Sequence, residues 1–228
     1  MHTALVTGGS AGLGLALTRA LAGRGVAVVT DARSPEALAR IDLPGVRVVA
    51  GDVSDPAHRA DLVREVEHLG GLDLLVHNAS TLGPLPMRTV RDLTADDLHA
   101  TWQVNVAAPL ELTRALLPTL RDRDGIVLSL TSDAAVEHYP TWGAYAATKT
   151  ALEHLTLTLA AEEQLTGYTV DPGDMRTQMH QDAFPGEDIS DRPEPETVVP
   201  ALLALLDQRP PSGRYRAADV SVPAEATR

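Results

Sequence analysis

Thr3-Ala-Leu-Val-Thr7-Gly-Gly-Ser-Ala-Gly12-Leu-Gly14 opens the chain's first structured stretch and decides how the rest is read. An apolar run passes directly into glycines 8, 12 and 14, and an amphipathic stretch begins within them. Glycines in a strand-to-helix turn let the chain bend sharply. They also let a pyrophosphate approach the helix N-terminus, where free backbone N–H groups and the helix dipole favour anions. The context suits a dinucleotide. On its own the turn is weak evidence, because any tight strand-to-helix turn can need glycine. Gly8 to Gly12 also has the form G-x-S-x-G, the nucleophile elbow of α/β-hydrolases. That elbow normally follows several strands rather than the first, and no Asp and His partners for Ser10 are identifiable.

Working outward, short β-branched runs alternate with longer amphipathic stretches, the pattern of βαβ units and a parallel sheet. Strands are predicted at 3–7, 26–30, 46–50, 72–77, 125–130 and 167–171, with a weak last one near 213–217. Helices are predicted at about 12–24, 35–41, 55–69, 94–120, 142–165 and 196–207. Runs such as Val26-Ala-Val-Val29 are apolar on both faces, as in a sheet covered by helices on each side. The fold class expected is α/β: a Rossmann-like, doubly wound parallel sheet in a three-layer α/β/α arrangement. Residues 1–228 read as one domain. Prolines 172, 185, 193 and 195, with many acids, mark about 173–196 as a long irregular segment, read as a substrate lid.

Composition narrows the function classes. The chain has no cysteine, which excludes disulfides and thiolate chemistry. A net charge of −12 argues against nucleic acid or an anionic membrane as partner. No apolar run approaches the roughly 18–20 residues of a membrane span. With an apolar strand beginning at residue 3, there is no room for a leader, and a cytoplasmic location is expected. No HExxH, His/Asp cluster or calcium-loop pattern is present, so no metal is expected.

Lys149 is the only lysine beside eighteen arginines, and it lies four residues after Tyr145. On a helix this spacing puts ammonium and phenol on one face. An opposite charge at about 4 Å contributes roughly 4 kcal/mol at an effective dielectric of about 20. That would pull the tyrosine pKa down far enough to make it a usable acid or base near neutrality. A Tyr/Lys pair on a solvated helix face is equally common, so the pair alone leaves both readings open.

Together these residues resemble the short-chain dehydrogenase/reductase family, in its compact single-domain form. The TGxxxGxG motif stands at Thr7 to Gly14, Tyr-x-x-x-Lys at Tyr145 and Lys149, and Ser132 thirteen residues before the tyrosine. Asn105 stands in Val104-Asn-Val106, Asp52-Val53 follows the third strand, His77-Asn-Ala-Ser80 follows the fourth, and Pro172-Gly-Asp-Met-Arg-Thr177 follows the sixth. The resemblance covers nearly the whole chain. It implies that Asn105, Ser132, Tyr145 and Lys149 are catalytic. It places Thr7, Gly8, Ser10, Gly12, Leu13 and Gly14 on the dinucleotide, Asp52 and Val53 at adenine, Asn78 and Ala79 beside the cofactor, and Pro172, Gly173 and Thr177 at the nicotinamide. Tyr145 would protonate the substrate oxygen and Ser132 would hydrogen-bond it. Lys149 would hold the ribose and keep the tyrosine pKa low, while Asn105 would position a water. In isolation, Ser132 reads equally as a strand-end cap and Asn105 as a buried amide.

The resemblance also bears on the cofactor. The position of the ribose-binding acid in NAD-preferring relatives falls on Ala32, and Arg33 follows, so NADP(H) is favoured over NAD(H). Asp31 lies one residue early and should point to the other side of the strand. His77 and Ser80 replace the family's Asn and Gly, and the Glu162–Gly167 connection looks about three residues short. The expected substrate is a small neutral ketone, aldehyde or secondary alcohol, because the acidic lid disfavours anionic ones. Leu82, Trp142, Met179 and Phe184 could wall its pocket, or could be ordinary packing. Pairing through the helices at 94–120 and 142–165 makes a homodimer the expected assembly, with a tetramer less secure. The competing readings are a non-catalytic NAD(P)-binding regulator, an NAD-preferring dehydrogenase and a serine hydrolase using Ser10.

Overall fold

The structure is a computed structural model and is described for residues 1–223. Seven strands form one parallel sheet: β1 (Thr3–Val6), β2 (Ala27–Ala32), β3 (Val46–Ala50), β4 (Leu74–His77), β5 (Ile126–Leu130), β6 (Thr166–Asp171) and β7 (Gly213–Arg216). Their order is β3-β2-β1-β4-β5-β6-β7. The order reverses between β1 and β4, and in such sheets the crevice beyond the strand C-termini at that switch point takes the ligand.

Period-two alternation assigns the strand residues to two faces. Leu5, Val29, Leu75 and Val127 pack against Leu62 and Val66 of α3 (Pro56–His68) and Leu112, Leu116 and Leu120 of α5 (Ala108–Asp122). On the other face Ala4, Val6, Val28, Val76 and Leu128 meet Leu13, Leu17 and Leu21 of α1 (Gly12–Gly23) and Leu202, Leu205 and Leu206 of α8 (Val199–Gln208). Helix, sheet and helix thus form the three expected layers.

The remaining helices are α2 (Pro35–Leu38), α4 (Ala95–Trp102), α6 (Gly143–Glu163) and α7 (Gln178–Ala183). The weak last strand forms, with Tyr168 opposite Gly213 and Asp171 opposite Arg216. The short connection after α6 closes because Gln164 takes a left-handed conformation, φ 56°. The stretch expected as one helix over 94–120 is divided. A π-helical turn, Gln103–Ala107, separates α4 from α5. Pro109 has no N–H for the carbonyl of Asn105, so regular α-helical bonding fails there.

The segment expected to be irregular, about 173–196, contains α7, capped by the Thr177 hydroxyl accepting from His180 N at 3.2 Å. Arg176 fastens its two ends, donating N–H to Pro193 O at 2.8 Å and pairing with Glu194. No helix among the described residues is long and apolar enough to cross a membrane.

Candidate active site

The glycine turn builds the first wall of a cleft of about 950 Å³ at the switch point. Gly8 has φ +69°, and a Cβ there would lie 3.0 Å from the Ala79 Cα. Gly8, Ser10, Gly12 and Leu13 line the cleft, as do Asn78 and Ala79 across from them. Thr7 and Gly14, expected on the cofactor, do not line it. Thr7 is buried, and its hydroxyl donates to Val76 O at 3.2 Å and accepts from the N–H groups of Asn78 and Ala79 at 3.1 Å each. A Cβ on Gly14 would lie 2.4 Å from Gly8 O and from Asn78 Nδ2. Both residues shape the wall from behind. Asn78 Nδ2 completes it by donating to Thr7 O at 2.8 Å and Gly8 O at 3.0 Å.

The cradle fits a dinucleotide's phosphates. Helix α1 begins at Gly12 with no side-chain cap from Ala11 and no acid in its first turn. Its first N–H groups and the positive end of its dipole are therefore left for an anion.

At the β2 and β3 end, Arg33, Asp52 and Val53 line the cleft with Ala32, Ser34 and Gly51. Arg33 is exposed and forms no salt bridge among the described residues. Partial burial alone would raise the Asp52 carboxyl. Hydrogen bonds from Ser54, with the Arg33 and His58 charges, instead hold it below the ordinary carboxylate value. Asp31 turns as the strand alternation expects. Its Oδ1 accepts from Gly8 N at 2.7 Å, and its Oδ2 lies 2.8 Å from His58 Nε2.

At the β5 and β6 end, Ser132, Tyr145 and Lys149 line the same cleft. Helix α6 carries the last two one turn apart, and both are buried. Lys149 Nζ donates to Leu130 O at 2.8 Å and lies 5.5 Å from the centroid of the Tyr145 ring. Burial lowers the Lys149 pKa to about 8, opposed by the Glu153 charge. The downward pull expected on Tyr145 is not found. Burial pushes its phenol above the ordinary value, with Asp133 and Asp171 adding to the rise and only Ser132 opposing it. The ammonium is held at the Leu130 carbonyl rather than at the phenol oxygen. Burial also lowers His77 to about 3, with Lys149 adding to the shift, so this imidazole is neutral. His77 Nε2 donates to Thr113 Oγ1 at 2.7 Å, since that hydroxyl's proton goes to Pro109 O.

Ser132 is a strand-end cap as well as a cleft residue. Its Oγ accepts from Ala134 N at 3.2 Å and donates to Asp133 Oδ1 at 2.8 Å. Asn105 does not line the cleft, and its amide is saturated. Oδ1 accepts from Thr81 N and Ser80 Oγ, and Nδ2 donates to Thr81 O and Thr148 Oγ1, all within 3.2 Å. Two donors and two acceptors are the whole capacity of an amide. The side chain expected to position a water instead ties the loop after β4 to α6, which makes Asn105 a positioning residue.

The motifs do not mark Arg214 of β7. Its Nε donates to Glu153 Oε1 at 3.0 Å, its guanidinium donates to Ser132 O at 3.2 Å, and it lies 3.5 Å from Asp171 Oδ2. Glu153 also accepts from Thr131 Oγ1 at 2.5 Å. No sequence pattern joins a position in a weak last strand to a serine eighty-two residues earlier.

Pro172, Gly173 and Thr177 line the cleft, together with Met175, Gln178 and His180. Leu82, Trp142 and Met179 supply apolar wall. Trp142 meets Tyr145 edge-on at 5.6 Å between centroids and Phe184 at 5.9 Å, so Phe184 backs the wall rather than forming it. Among the described residues, no group of three or more His, Cys, Asp or Glu is arranged to hold a metal ion.

A parallel seven-stranded sheet whose switch point opens on a glycine-cradled anion site defines a Rossmann-like nucleotide-binding protein. Comparison with known proteins narrows this class. The family model for short chain dehydrogenases matches residues 2–188. A short chain dehydrogenase of Pseudocercospora fijiensis is 36% identical over 193 residues, which are 78% of this chain and 60% of that protein. The chain thus spans 60% of that relative's length. Among solved structures, one described as a short chain dehydrogenase from Pseudomonas syringae has a TM-score of 0.88 and 33% identity, covering 95% of this chain and 94% of its own. Another, from Shigella flexneri and complexed with NADP, has a TM-score of 0.86 and 29% identity, covering 95% and 97%. The chain belongs to the short-chain dehydrogenase family, the NAD(P)-dependent dehydrogenases and reductases.

Proposed function

We propose that this chain is an NADP(H)-dependent oxidoreductase that interconverts a small neutral ketone or aldehyde and the corresponding alcohol. The observation that carries the reading is one cleft lined at one end by Gly8, Gly12 and Arg33 and at the other by Ser132, Tyr145 and Lys149. When bound, the nicotinamide supplies or accepts the hydride. Tyr145, its pKa raised by burial, is fully protonated at neutral pH and donates its proton to the substrate oxygen. Ser132 turns its hydroxyl from Asp133 to hydrogen-bond that oxygen as negative charge develops on it. Lys149, with one N–H on Leu130 O, keeps two donors on the same helix face, suited to holding the ribose hydroxyls. Asn105 holds the loop bearing Ser80 and Thr81 against α6.

Preference for NADP(H) is supported by Arg33, an exposed guanidinium at the end of β2, and by Asp31, whose carboxylate is engaged elsewhere. The Shigella flexneri relative bound to NADP points the same way. Asp96, Asp97, Asp133 and Asp171 line the cleft, and their charge disfavours phosphorylated or carrier-linked substrates. In this reading residues 173–196 form the substrate lid, and subunits pair through α5 and α6.

Titration of the purified protein with NADPH and with NADH, followed by nicotinamide fluorescence, tests the reading. NADPH is expected to bind more tightly. Binding of neither would overturn it.

A further inference from the structure

We propose that His58 sets the cofactor preference by holding Asp31 away from the adenosine ribose, an inference that rests on the NADP(H) reading above. Asp31 lines the cleft next to Ala32 and Arg33 in the chain. A carboxylate in this neighbourhood favours a ribose 2′-hydroxyl and repels a 2′-phosphate.

The structure ties it down from two sides. Gly8 N donates to Oδ1, which links the carboxylate to the glycine turn, and His58 Nε2 donates to Oδ2. Both side chains are nearly sealed from water, Asp31 at 2% exposure and His58 at 4%. The imidazole gives Nε2–H to this bond whether it is neutral or charged, so the tether does not depend on its protonation.

The slot is built for the ring. His58 projects from the first turn of α3 onto Gly51, where a Cβ would lie 2.2 Å from Nδ1 and 2.5 Å from Cγ. Any other residue at 51 would push the imidazole out. His58 Nδ1 has no hydrogen-bond partner, so the ring's one directional interaction is with Asp31. An imidazole buried at the loss of one nitrogen's hydrogen bond is a poor choice for packing alone. It is a good choice for holding a carboxylate. His58 is therefore a positioning residue that acts on the cofactor through Asp31.

Dissociation constants for NADPH and NADH, measured by nicotinamide fluorescence on the wild type and variants, test this. His58→Leu frees one carboxylate oxygen, and the ratio Kd(NADH)/Kd(NADPH) is expected to fall about tenfold, mostly through weaker NADPH binding. His58→Gln, whose amide nitrogen can replace Nε2–H, should keep the ratio within about twofold of wild type. Adding Asp31→Asn to His58→Leu removes the freed charge while leaving an acceptor for Gly8 N, and should restore the preference. A wild type with no NADPH preference would overturn the cofactor reading and this inference together. A wild type that prefers NADPH, with a ratio unmoved by His58→Leu or not restored by Asp31→Asn, would overturn the inference alone. Should His58→Leu lack a cooperative melt, His58→Asn, too short to reach Asp31, replaces it under the same criteria.

Discussion

Beyond the ends of β4, β5 and β6, Tyr145, Lys149, Asn105 and His77 are buried; where β2 ends, Arg33 and Ser34 stand in solvent. The contrast suits the proposed roles of the two ends. Proton transfer would need groups whose pKa is set by surroundings, and burial is the largest influence on Tyr145, Lys149 and His77 alike. A phosphate would need a cation, and a guanidinium serves in solvent because it stays charged at any relevant pH. Substitutions should therefore act on turnover or folding at the first end and on affinity at the second.

The largest effect expected is Tyr145→Phe, which should lower kcat by roughly 10²–10⁴-fold with cofactor affinity within a few-fold of wild type. Substantial residual turnover would remove Tyr145 from the acid role and break the contrast at its buried end. Next is the pH dependence of stability. An unfolded lysine titrates near 10.5 and folded Lys149 near 8, so between these values the unfolded chain binds more protons. Stability should therefore rise with pH from about 8 to 10, recovering part of a penalty on the order of 3 kcal/mol that is fully present below pH 8. Urea denaturation at several pH values reads this rise, and Lys149→Met should flatten it. An equal rise in the variant would mean the ammonium is not desolvated. The smallest effect is Arg33→Ala, expected to weaken NADPH about tenfold and to leave NADH unchanged. Equal losses for both cofactors would show that Arg33 acts on the fold rather than on the phosphate.

Much of the site was legible because its chemistry is local. A glycine turn after a strand and a tyrosine four residues before a lysine are short-range patterns, and both line the cleft beyond the strand C-termini. Alternation alone placed the Asp31 side chain correctly. Thr7 and Gly14 lie outside the cleft lining because a motif records what a turn needs, and part of that need lies behind the wall, at Asn78 and the Gly8 carbonyl. The influence of Lys149 on Tyr145 was misjudged because helical spacing fixes proximity but not hydrogen-bond direction, and the Leu130 carbonyl takes the ammonium. His58 and Arg214 were not legible, since their partners lie 27 and 82 residues away. The π turn at Asn105 was hidden because one wider turn barely disturbs an apolar period.

Arg214 carries a further consequence. Strand β7 is four residues long, lies at the sheet edge and is only partly buried, yet its guanidinium holds the carbonyl of Ser132. Short edge elements separate from a domain at lower free energy than its centre. Detachment of β7 would release the serine's backbone while both helical layers stayed packed, so competence would be lost in a sub-global event. The stability that matters at Ser132 would then be that of an edge strand rather than of the core.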